Sequence, residues 1–271
     1  ALAFASLAED GIRVRLAGED SRRGTFSHRH AVLVDHRTEE EHSPIETLET
    51  ADAQVQLVDS LLSEFAAMGF EYGYSVAAPD ALVMWEAQFG DFVNGAQVII
   101  DQFLSAGEDK WNQQSSLVLL LPHGFEGQGP EHSSARIERF LQLSAESNWR
   151  VAVPSTPAQY FHLLRRQVLD PVRKPLITFT PKSLLRTRAS YSPTADLSIN
   201  GFRPVLPDPA PPDRIGRVVL CAGKLYYDLL RGRPDDSDVA LVRVEQLYPF
   251  PSAEVGAVLP GIVTNVTRFG A

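Results

Sequence analysis

Runs of apolar residues alternate along the first two thirds of the chain with segments of helical spacing. The clearest run is Leu117–Leu121, an unbroken apolar stretch typical of a strand in a sheet covered on both faces. The other predicted strands are Ile12–Leu16, Ala81–Trp85, Val151–Val153 and Leu176–Phe179. The predicted helices are Leu2–Ala8, Glu64–Ala77, Val93–Leu104, Ala135–Ser144 and one opened by the cap and proline Thr156-Pro157. This alternation predicts an α/β fold of three layers, α/β/α, with a mostly parallel sheet.

A change of composition marks residues 186–214. Six prolines leave this segment little regular structure, and we interpret it as an interdomain linker. It would join a first domain of residues 1–185 to a second, partial α/β domain of residues 215–271. The elements predicted for the second domain are the strands Arg217–Cys221 and Val239–Val244 and the helices Lys224–Arg231 and Ser252–Val258.

The bulk composition narrows the class of protein. The 271 residues are 44% hydrophobic and 22% charged, which suits two compact domains rather than a disordered chain. The net charge of −9 argues against binding to nucleic acid, and no apolar run has the length of a membrane span. The lone cysteine, Cys221, excludes an intramolecular disulfide and predicts a buried thiol in a reducing compartment. Since the chain begins without Met, inside a predicted helix, we expect it to be a piece of a longer polypeptide.

The segment that follows Ser60 carries the most chemical information. Glu64 opens a helix whose small residues leave a thin contact face. The strand Ala81–Trp85 then leads into the polar and aromatic run Glu86-Ala87-Gln88-Phe89-Gly90-Asp91-Phe92. A carboxylate at a helix start and an aromatic pair at a strand end are what an enzyme needs to hold a cofactor ring by its edge and its face.

Three ungapped motifs carry a resemblance to a known family. They are the segment just described, GEDSRRGTFSHRHAVLVDH at Gly18–His36, and LLLPHGFEGQGPEHSSARIERFLQL at Leu119–Leu143. Together they resemble the thiamine-diphosphate-dependent decarboxylase components of 2-oxoglutarate dehydrogenase complexes. The likeness runs from Ala1 to about Pro249 and corresponds to the C-terminal portion of a much longer family chain. It implies the pyrimidine-binding domain of the thiamine diphosphate fold, followed by part of a C-terminal domain.

Glu64 is the strongest catalytic candidate. The resemblance gives it the carboxyl group that bonds the pyrimidine ring of thiamine diphosphate and promotes the imino form of the cofactor, whose amino group removes the thiazolium proton. This task requires a water-poor environment that raises the pKa of the carboxyl group, and Leu61, Leu62 and Phe65 suit it. The alternative is a helix-terminal Glu favoured only by the helix dipole.

Phe89 and Phe92 lie just past a predicted strand end. By the resemblance, Phe89 is the aromatic side chain that stacks on the cofactor's pyrimidine ring, and Phe92 forms a second wall of the cofactor site. Core packing, the usual role of Phe, is the alternative for both.

His28 and His30 form a His-x-His pair whose side chains would point to one face of an extended segment. A zinc site is disfavoured because no third ligand stands at a familiar spacing. The resemblance implies that the second histidine, His30, reaches the active site, where it would donate to a carboxylate of a dianionic 2-oxo acid or supply a proton after decarboxylation. His28 is the second candidate for this role, and a surface imidazole is the alternative.

His132 follows the turn Gly127-Gln128-Gly129-Pro130-Glu131. It resembles the histidine found after the Gly-Pro turn in the same domain of transketolases and pyruvate dehydrogenase β chains, which implies a place over the thiazolium ring. We expect a helix to begin just after it, at Ser133-Ser134, and to add dipoles that attract anions. A loop histidine that only caps or packs is the alternative.

The cofactors that the resemblance implies are thiamine diphosphate and Mg²⁺. By the resemblance, the family's diphosphate and magnesium motif, a Gly-Asp pair followed well downstream by Asn, lies in its upstream domain, and we do not identify it in this sequence. We therefore expect no metal ligand in this chain, and expect the absent upstream domain to hold the diphosphate and Mg²⁺.

The resemblance also implies a function and partners. The function is the oxidative decarboxylation of 2-oxoglutarate in the tricarboxylic acid cycle, with reductive succinylation of a lipoyl group on the succinyltransferase component of the complex. The active site would form between the chains of a homodimer, in the bacterial cytoplasm or the mitochondrial matrix. Two alternatives stay open: a relative that acts on 2-oxoadipate, one methylene longer, and a non-catalytic assembly or regulatory fragment.

Overall fold

The computed structural model describes residues 1–48, 53–199 and 201–258. Its strands are β1 (Val14–Gly18), β2 (Leu33–Val34), β3 (Glu41–His42), β4 (Val55–Asp59), β5 (Leu82–Glu86), β6 (Val118–His123), β7 (Arg150–Ala152), β8 (Leu176–Pro181), β9 (Val205–Leu206), β10 (Arg217–Cys221), β11 (Val239–Val244) and β12 (Gln246–Tyr248). Its helices are α1 (Leu2–Glu9), α2 (Glu64–Ala77), α3 (Gln97–Ile99), α4 (Gly107–Trp111), α5 (Ile137–Gln142), α6 (Pro157–Leu169), α7 (Leu225–Gly232) and α8 (Ser252–Val258). Within the described residues, no helix is long and apolar enough to cross a membrane.

A seven-stranded sheet organises most of the chain, with strand order β12-β7-β8-β6-β5-β1-β4. Every neighbouring pair is parallel except β12 with β7. This confirms the predicted α/β fold with a mostly parallel sheet. Parallel neighbours bring the carboxyl ends of consecutive strands to one edge, and that edge positions the candidate site.

Strand β6 and Leu117, the residue just before it, show how the sheet is covered on both faces. Leu117, Leu119 and Leu121 belong to the core cluster that includes residues of α2. Val118 and Leu120 belong to a second cluster, which includes residues of α1 and α6. Because side chains alternate along a strand, an unbroken apolar run fits only a strand with a layer of helices on each side.

The segment predicted as one helix over Val93–Leu104 is helical but irregular. It begins as a 3₁₀ helix over Gly90–Ala96, continues through α3, and ends as a π helix over Ile100–Leu104. Asn94 and Gly95 have low helix propensity, which accounts for the irregular start. Phe92, one of the candidate site residues, lies in this 3₁₀ helix.

A smaller sheet follows the proline-rich segment. Its order is β10-β11-β9, with β9 antiparallel to β11. The sequence analysis placed β10, β11, α7 and α8 correctly but did not predict β9, which lies inside the presumed linker. Strand β12 leaves this unit and pairs with the edge of the main sheet, so backbone hydrogen bonds join the two sheets. The domain boundaries themselves stay a prediction.

Candidate active site

The carboxyl edge of the main sheet gathers most of the candidate residues. Strands β1, β5, β6 and β8 all end at this edge. The loops that follow β1, β5 and β6 carry His28, Phe89 and His132. In open parallel sheets this is where ligands bind.

An aromatic cluster lies at this edge, formed by Phe26, His28, Phe89, Phe92 and His132. The ring of Phe89 is its centre, with ring centroids 4.1 Å from His132 and 5.9 Å from Phe92. On another side, Phe26 meets Phe89 edge-on at 5.6 Å and stacks on His28 at 6.0 Å. Phe89 and Phe92 are half-buried, so they keep surface free for a ligand.

Gly90 and Asp91 fix the loop that carries the two phenylalanines. A Cβ at Gly90 would lie 2.5 Å from the carbonyl oxygen of Pro122, so only glycine fits there. The Asp91 carboxylate accepts hydrogen bonds from the backbone N–H groups of Ser133 (3.1 Å) and Ser134 (2.9 Å). The loop after β5 is therefore tied to the loop after β6.

The helix expected just after His132 begins later than predicted. Helix α5 starts at Ile137, and Arg136 before it has a left-handed backbone with φ of 59°. Because Asp91 accepts the N–H groups of Ser133 and Ser134, those groups do not form an anion-attracting helix terminus. That part of the prediction was wrong.

The His132 backbone anchors the imidazole against Phe89. Its carbonyl oxygen accepts a hydrogen bond from Lys182 Nζ at 2.6 Å. Gly127 packs so closely that a Cβ there would come within 1.9 Å of the same oxygen. Gly127 is thus needed for this close approach of the backbone, and Gly129 supplies a positive φ of 112° in the same turn before His132.

A buried ion pair lies beneath His28. The Arg29 guanidinium donates to both Glu86 carboxylate oxygens, at 2.5 and 3.0 Å, and His28 Nε2 is 3.6 Å from one of them. Burial raises the pKa of Glu86, but the charge of Arg29 and the hydrogen bonds from His28 and Arg29 outweigh it and lower the pKa to about 2. Glu86 therefore stays ionised and acts as a fixed negative charge, not as a proton carrier.

The His-x-His pair is not extended, contrary to the geometry considered from the sequence. Ser27 and His30 have positive φ angles of 51° and 45°, so the chain turns at this pair. Both residues are exposed, but the His28 ring stacks on Phe26 at the aromatic cluster, and His30 is not among the ring contacts of the described residues. The structure therefore separates the two imidazoles and brings only His28 into the cluster.

Glu64 is the first residue of α2, and Ser63 caps that helix by accepting the N–H of Ala66. The Glu64 carboxylate lies beside Gly95, where a Cβ would come within 3.1 Å of Oε2. Glu64 is half-buried, and its apolar neighbours Leu61 and Phe65 are exposed. The water-poor surroundings expected for Glu64 are therefore not built by the described residues of this single chain.

An apolar cleft of about 210 Å³ opens beside the aromatic cluster. Its charged lining residues are Glu86 and Lys182, and its cluster-side residues are Phe26 and His28. The apolar walls include Pro122, Pro154, Tyr160, Leu184, Leu185 and Tyr191. Burial raises the pKa of Tyr160, so its hydroxyl stays neutral.

Several residues at this edge were not singled out from the sequence. They are Phe26, Arg29, Glu86, Asp91 and Lys182. A usable signal existed for Glu86 and Lys182, since each is a charged residue directly at or after the end of a buried strand. The pairing of Arg29 with Glu86 spans 57 residues of sequence and had no local signal.

The parallel sheet, with Phe89, Phe92 and His132 beyond its carboxyl edge, defines an α/β domain with a candidate ligand site at that edge. Residues 1–188 match the family model of the transketolase pyrimidine-binding domain. The chain belongs to this family. Residues 191–264 match the model of the 2-oxoglutarate dehydrogenase C-terminal domain.

Similar curated proteins carry the name 2-oxoglutarate dehydrogenase E1 component. Identity is 55% over 264 residues with the protein of Coxiella burnetii, 54% over 262 residues with that of Azotobacter vinelandii, and 56% over 266 residues with that of Cupriavidus necator. Each match covers 95% of this chain and 28% of the relative. The chain thus spans under a third of the length of these relatives, and the resemblance inferred from its motifs is confirmed.

Proposed function

We propose that this chain forms the pyrimidine-binding half of the active site in the decarboxylase component of a 2-oxoglutarate dehydrogenase complex. The observation that carries the proposal is the position of the Glu64 carboxylate beside Gly95, in the same short helical segment that follows Phe89 and contains Phe92. A carboxyl group and aromatic rings on adjoining elements suit a ring that is bonded at its edge and stacked on its face. Membership of the pyrimidine-binding family supports thiamine diphosphate as that ligand.

The residues present fit the pyrimidine half of the cofactor. Within the described part of the chain, no group donates a hydrogen bond to the Glu64 carboxylate, so it remains available to a ligand. When bound, thiamine diphosphate supplies the nucleophilic carbon and the electron sink for decarboxylation. Glu64 holds a proton at the pyrimidine ring nitrogen, Phe89 stacks on the ring, and Phe92 forms a second wall.

The three histidines handle the substrate's charge and protons. We assign His132, which contacts the Phe89 ring, to the thiazolium side of the cofactor. His28 faces the cleft, and His30 is exposed toward the solvent side of the same loop. We assign to His30 and His28 hydrogen bonds to the carboxylates of 2-oxoglutarate, or proton delivery after carbon dioxide leaves.

An exposed apolar face supports a homodimer. Leu61, Leu62 and Phe65 lie at or just before the start of α2 and are 48–101% exposed. Such a patch on a globular chain marks an interaction surface. A second copy that covers it would also exclude water from Glu64, which the proposed acid–base role requires.

The remaining partners follow from the family and are part of the proposal. An upstream domain supplies the diphosphate and Mg²⁺ ligands, and a lipoyl-bearing succinyltransferase component accepts the succinyl group. We retain the domain boundaries 1–185, 186–214 and 215–271 as part of the proposal. The first family match ends at residue 188, and the second starts at 191, inside the segment proposed as a linker. The rivals are a 2-oxoadipate decarboxylase component and a non-catalytic assembly fragment.

Reconstitution tests the proposal. The isolated chain should show no decarboxylation of 2-oxoglutarate with ferricyanide as the electron acceptor, and thiamine diphosphate with Mg²⁺ should not raise its melting temperature, because the charged end of the cofactor lacks partners. Joining the upstream portion of the same protein should restore both the decarboxylation of 2-oxoglutarate and the rise in melting temperature with thiamine diphosphate and Mg²⁺. Turnover by the isolated chain, or a complete protein that is inactive on 2-oxoglutarate, would contradict the proposal.

A further inference from the structure

Lys182 stands where the aromatic cluster meets the apolar cleft. We infer that Lys182 binds the distal carboxylate of the 2-oxo acid substrate, the one that does not leave as carbon dioxide. The inference rests on the proposed function and assigns a substrate contact to a residue that no motif singled out.

The Lys182 ammonium is positioned but not neutralised. Its Nζ lies 5.2 Å from the centroid of the Phe89 ring and 5.6 Å from that of Phe26, and it donates to the His132 carbonyl oxygen at 2.6 Å. Across the described residues, no carboxylate forms an ion pair with it. Two of its three N–H groups therefore remain for a ligand.

The acids around Lys182 are already engaged. Glu126 accepts from Ser183 and pairs with Lys224 at 3.0 Å, and Asp91 accepts the two backbone N–H groups described above. Glu86 is held by Arg29. Among the described residues, an incoming anion therefore competes with no paired carboxylate for Lys182.

The surroundings favour the arrival of a negative charge. Burial lowers the pKa of Lys182, and the more distant charges of Glu126 and Asp91 only partly oppose this effect. A carboxylate bound at hydrogen-bond distance would restore the stability of the ammonium form and would gain a charge-assisted hydrogen bond.

The cleft next to Lys182 matches the rest of such a ligand. Its volume of about 210 Å³ suits a metabolite, being below the roughly 300–1,000 Å³ of sites for larger ligands. Leu184, Leu185 and Pro154 offer apolar walls to methylene groups. A cation at the edge of a small apolar cleft can bind one carboxylate while the methylene groups of the ligand lie against the apolar walls.

The chemistry of decarboxylation decides which carboxylate Lys182 binds. The carboxylate that leaves loses its charge as carbon dioxide forms, so an ion pair with it would stabilise the ground state more than the transition state and would slow the reaction. An ion pair with the distal carboxylate keeps its strength throughout. Lys182 therefore serves binding and substrate choice.

Substrate discrimination tests this inference in the full-length protein. Lys182→Met should lower kcat/KM for 2-oxoglutarate by about 10- to 100-fold, the scale of losing a charged partner at a polar site. The loss with 2-oxopentanoate, which has the same chain length but ends in a methyl group, should be several times smaller. Lys182→Arg should restore part of the preference for the dicarboxylate. Lys110→Met, at an exposed site, is the control and should leave kcat/KM unchanged for both substrates.

Equal losses on both substrates, or no loss on either, would overturn the inference. If the parent protein fails to turn over 2-oxoglutarate, the proposed function itself falls, and the inference falls with it. A measurement on the unsubstituted full-length protein covers the case of a misfolded variant. In this experiment Lys182 is acetylated chemically, and mass spectrometry follows the rate. Saturating 2-oxoglutarate should slow the acetylation of Lys182 more than saturating 2-oxopentanoate does. Equal rates with the two compounds would also overturn the inference.

Discussion

At the scale of single residues, Glu64 allows the most direct test of the acid–base chemistry. Glu64→Gln keeps a hydrogen-bonding group of the same size beside Gly95 but cannot exchange a proton. In the full-length protein we expect a loss of about 10²-fold or more in decarboxylation rate, typical of removing acid–base assistance. Glu9→Gln, an exposed site at the end of α1, is the matched control and should be silent. Near-normal turnover by Glu64→Gln would remove Glu64 from the mechanism.

Substitutions of His28 and His30 can distinguish a packing role from a catalytic role. His30 is exposed with a φ of 45°, a conformation that Asn tolerates, so His30→Asn should leave the melting temperature unchanged. We expect its activity on 2-oxoglutarate to fall by at least about 10-fold, as for the loss of a proton donor. His28→Asn removes the contacts with Phe26 and Glu86 and should lower the melting temperature as well. A silent His30→Asn together with an inactive, stable His28→Asn would transfer the catalytic role to His28.

At the scale of elements, Glu126 is the anchor of the loop that delivers His132. It accepts from the backbone N–H of Ser183 at 2.8 Å and from the Ser183 hydroxyl, and it pairs with Lys224. Burial raises the pKa of Glu126, but the hydrogen bonds from Ser183 and the charge of Lys224 outweigh it, so the net shift is downward. The carboxylate is therefore ionised near neutral pH, and the anchor weakens only as acid protonates it.

Replacing this anchor should loosen the loop without unfolding the protein. The backbone N–H groups of Gly124 and Phe125 both donate to the Ser133 carbonyl, at 3.1 and 2.8 Å, and close the loop. In Glu126→Ala we expect their hydrogen exchange to speed up by about 5- to 30-fold, equivalent to about 1–2 kcal/mol of lost hydrogen bonding. Glu131→Ala, an exposed residue of the same loop, is the control. Unchanged exchange in Glu126→Ala would mean that the loop is held elsewhere.

Sequence patterns predicted those elements whose stability comes from local periodicity. The buried run at β6 and the amphipathic α2 were found, because each face of the element is encoded by spacing. Strand β4 had a usable signal in the alternation of Val55–Asp59, and it was missed. Strands β9 and β12 have two and three residues, and they exist through backbone pairing with distant partners that no local pattern encodes.

In the candidate site, too, residues within local motifs were predicted from the sequence, whereas contacts between distant residues were not. Glu64, Phe89, Phe92 and His132 were proposed from motifs, and the structure brings Phe89, Phe92 and His132 into one cluster. The Lys182 contact to the His132 carbonyl joins residues 50 apart in sequence. Contacts of that kind depend on the order of strands in the sheet, which periodicity does not specify.

At the scale of the whole molecule, Glu245 joins the smaller sheet to the main one. It follows β11, and its carbonyl accepts the N–H of Val153 at 2.8 Å while its N–H donates to the Pro204 carbonyl at 2.8 Å. Its side chain accepts the N–H of Ser155 at 2.7 Å. Tyr227 of α7 adds a hydrogen bond to the Ser155 carbonyl at 2.7 Å. Because Ser155 lines the cleft, this junction connects the smaller unit to the candidate site.

The Glu245 junction should make stability depend on pH. Glu245 is fully buried with one carboxylate oxygen unpaired, and burial raises its pKa from 4.5 to about 7, with Ser155, Arg243 and Gln159 opposing the rise. Between these two values the folded state binds more protons than the unfolded state, so this group's contribution to stability falls as pH rises.

Glu245→Gln should remove that dependence, because the amide stays neutral while it can still accept from Ser155. At about 1.4 kcal/mol per pKa unit, we expect the variant to be more stable than the parent by about 1–3 kcal/mol near about pH 8, and nearly equal to it near about pH 5. Paired urea unfolding curves at both pH values measure the difference, with Glu254→Gln at an exposed site of α8 as the control. If Glu245→Gln were instead less stable at the higher pH, Glu245 would be ionised in the folded protein, and the junction would be held by an ion pair with Arg243.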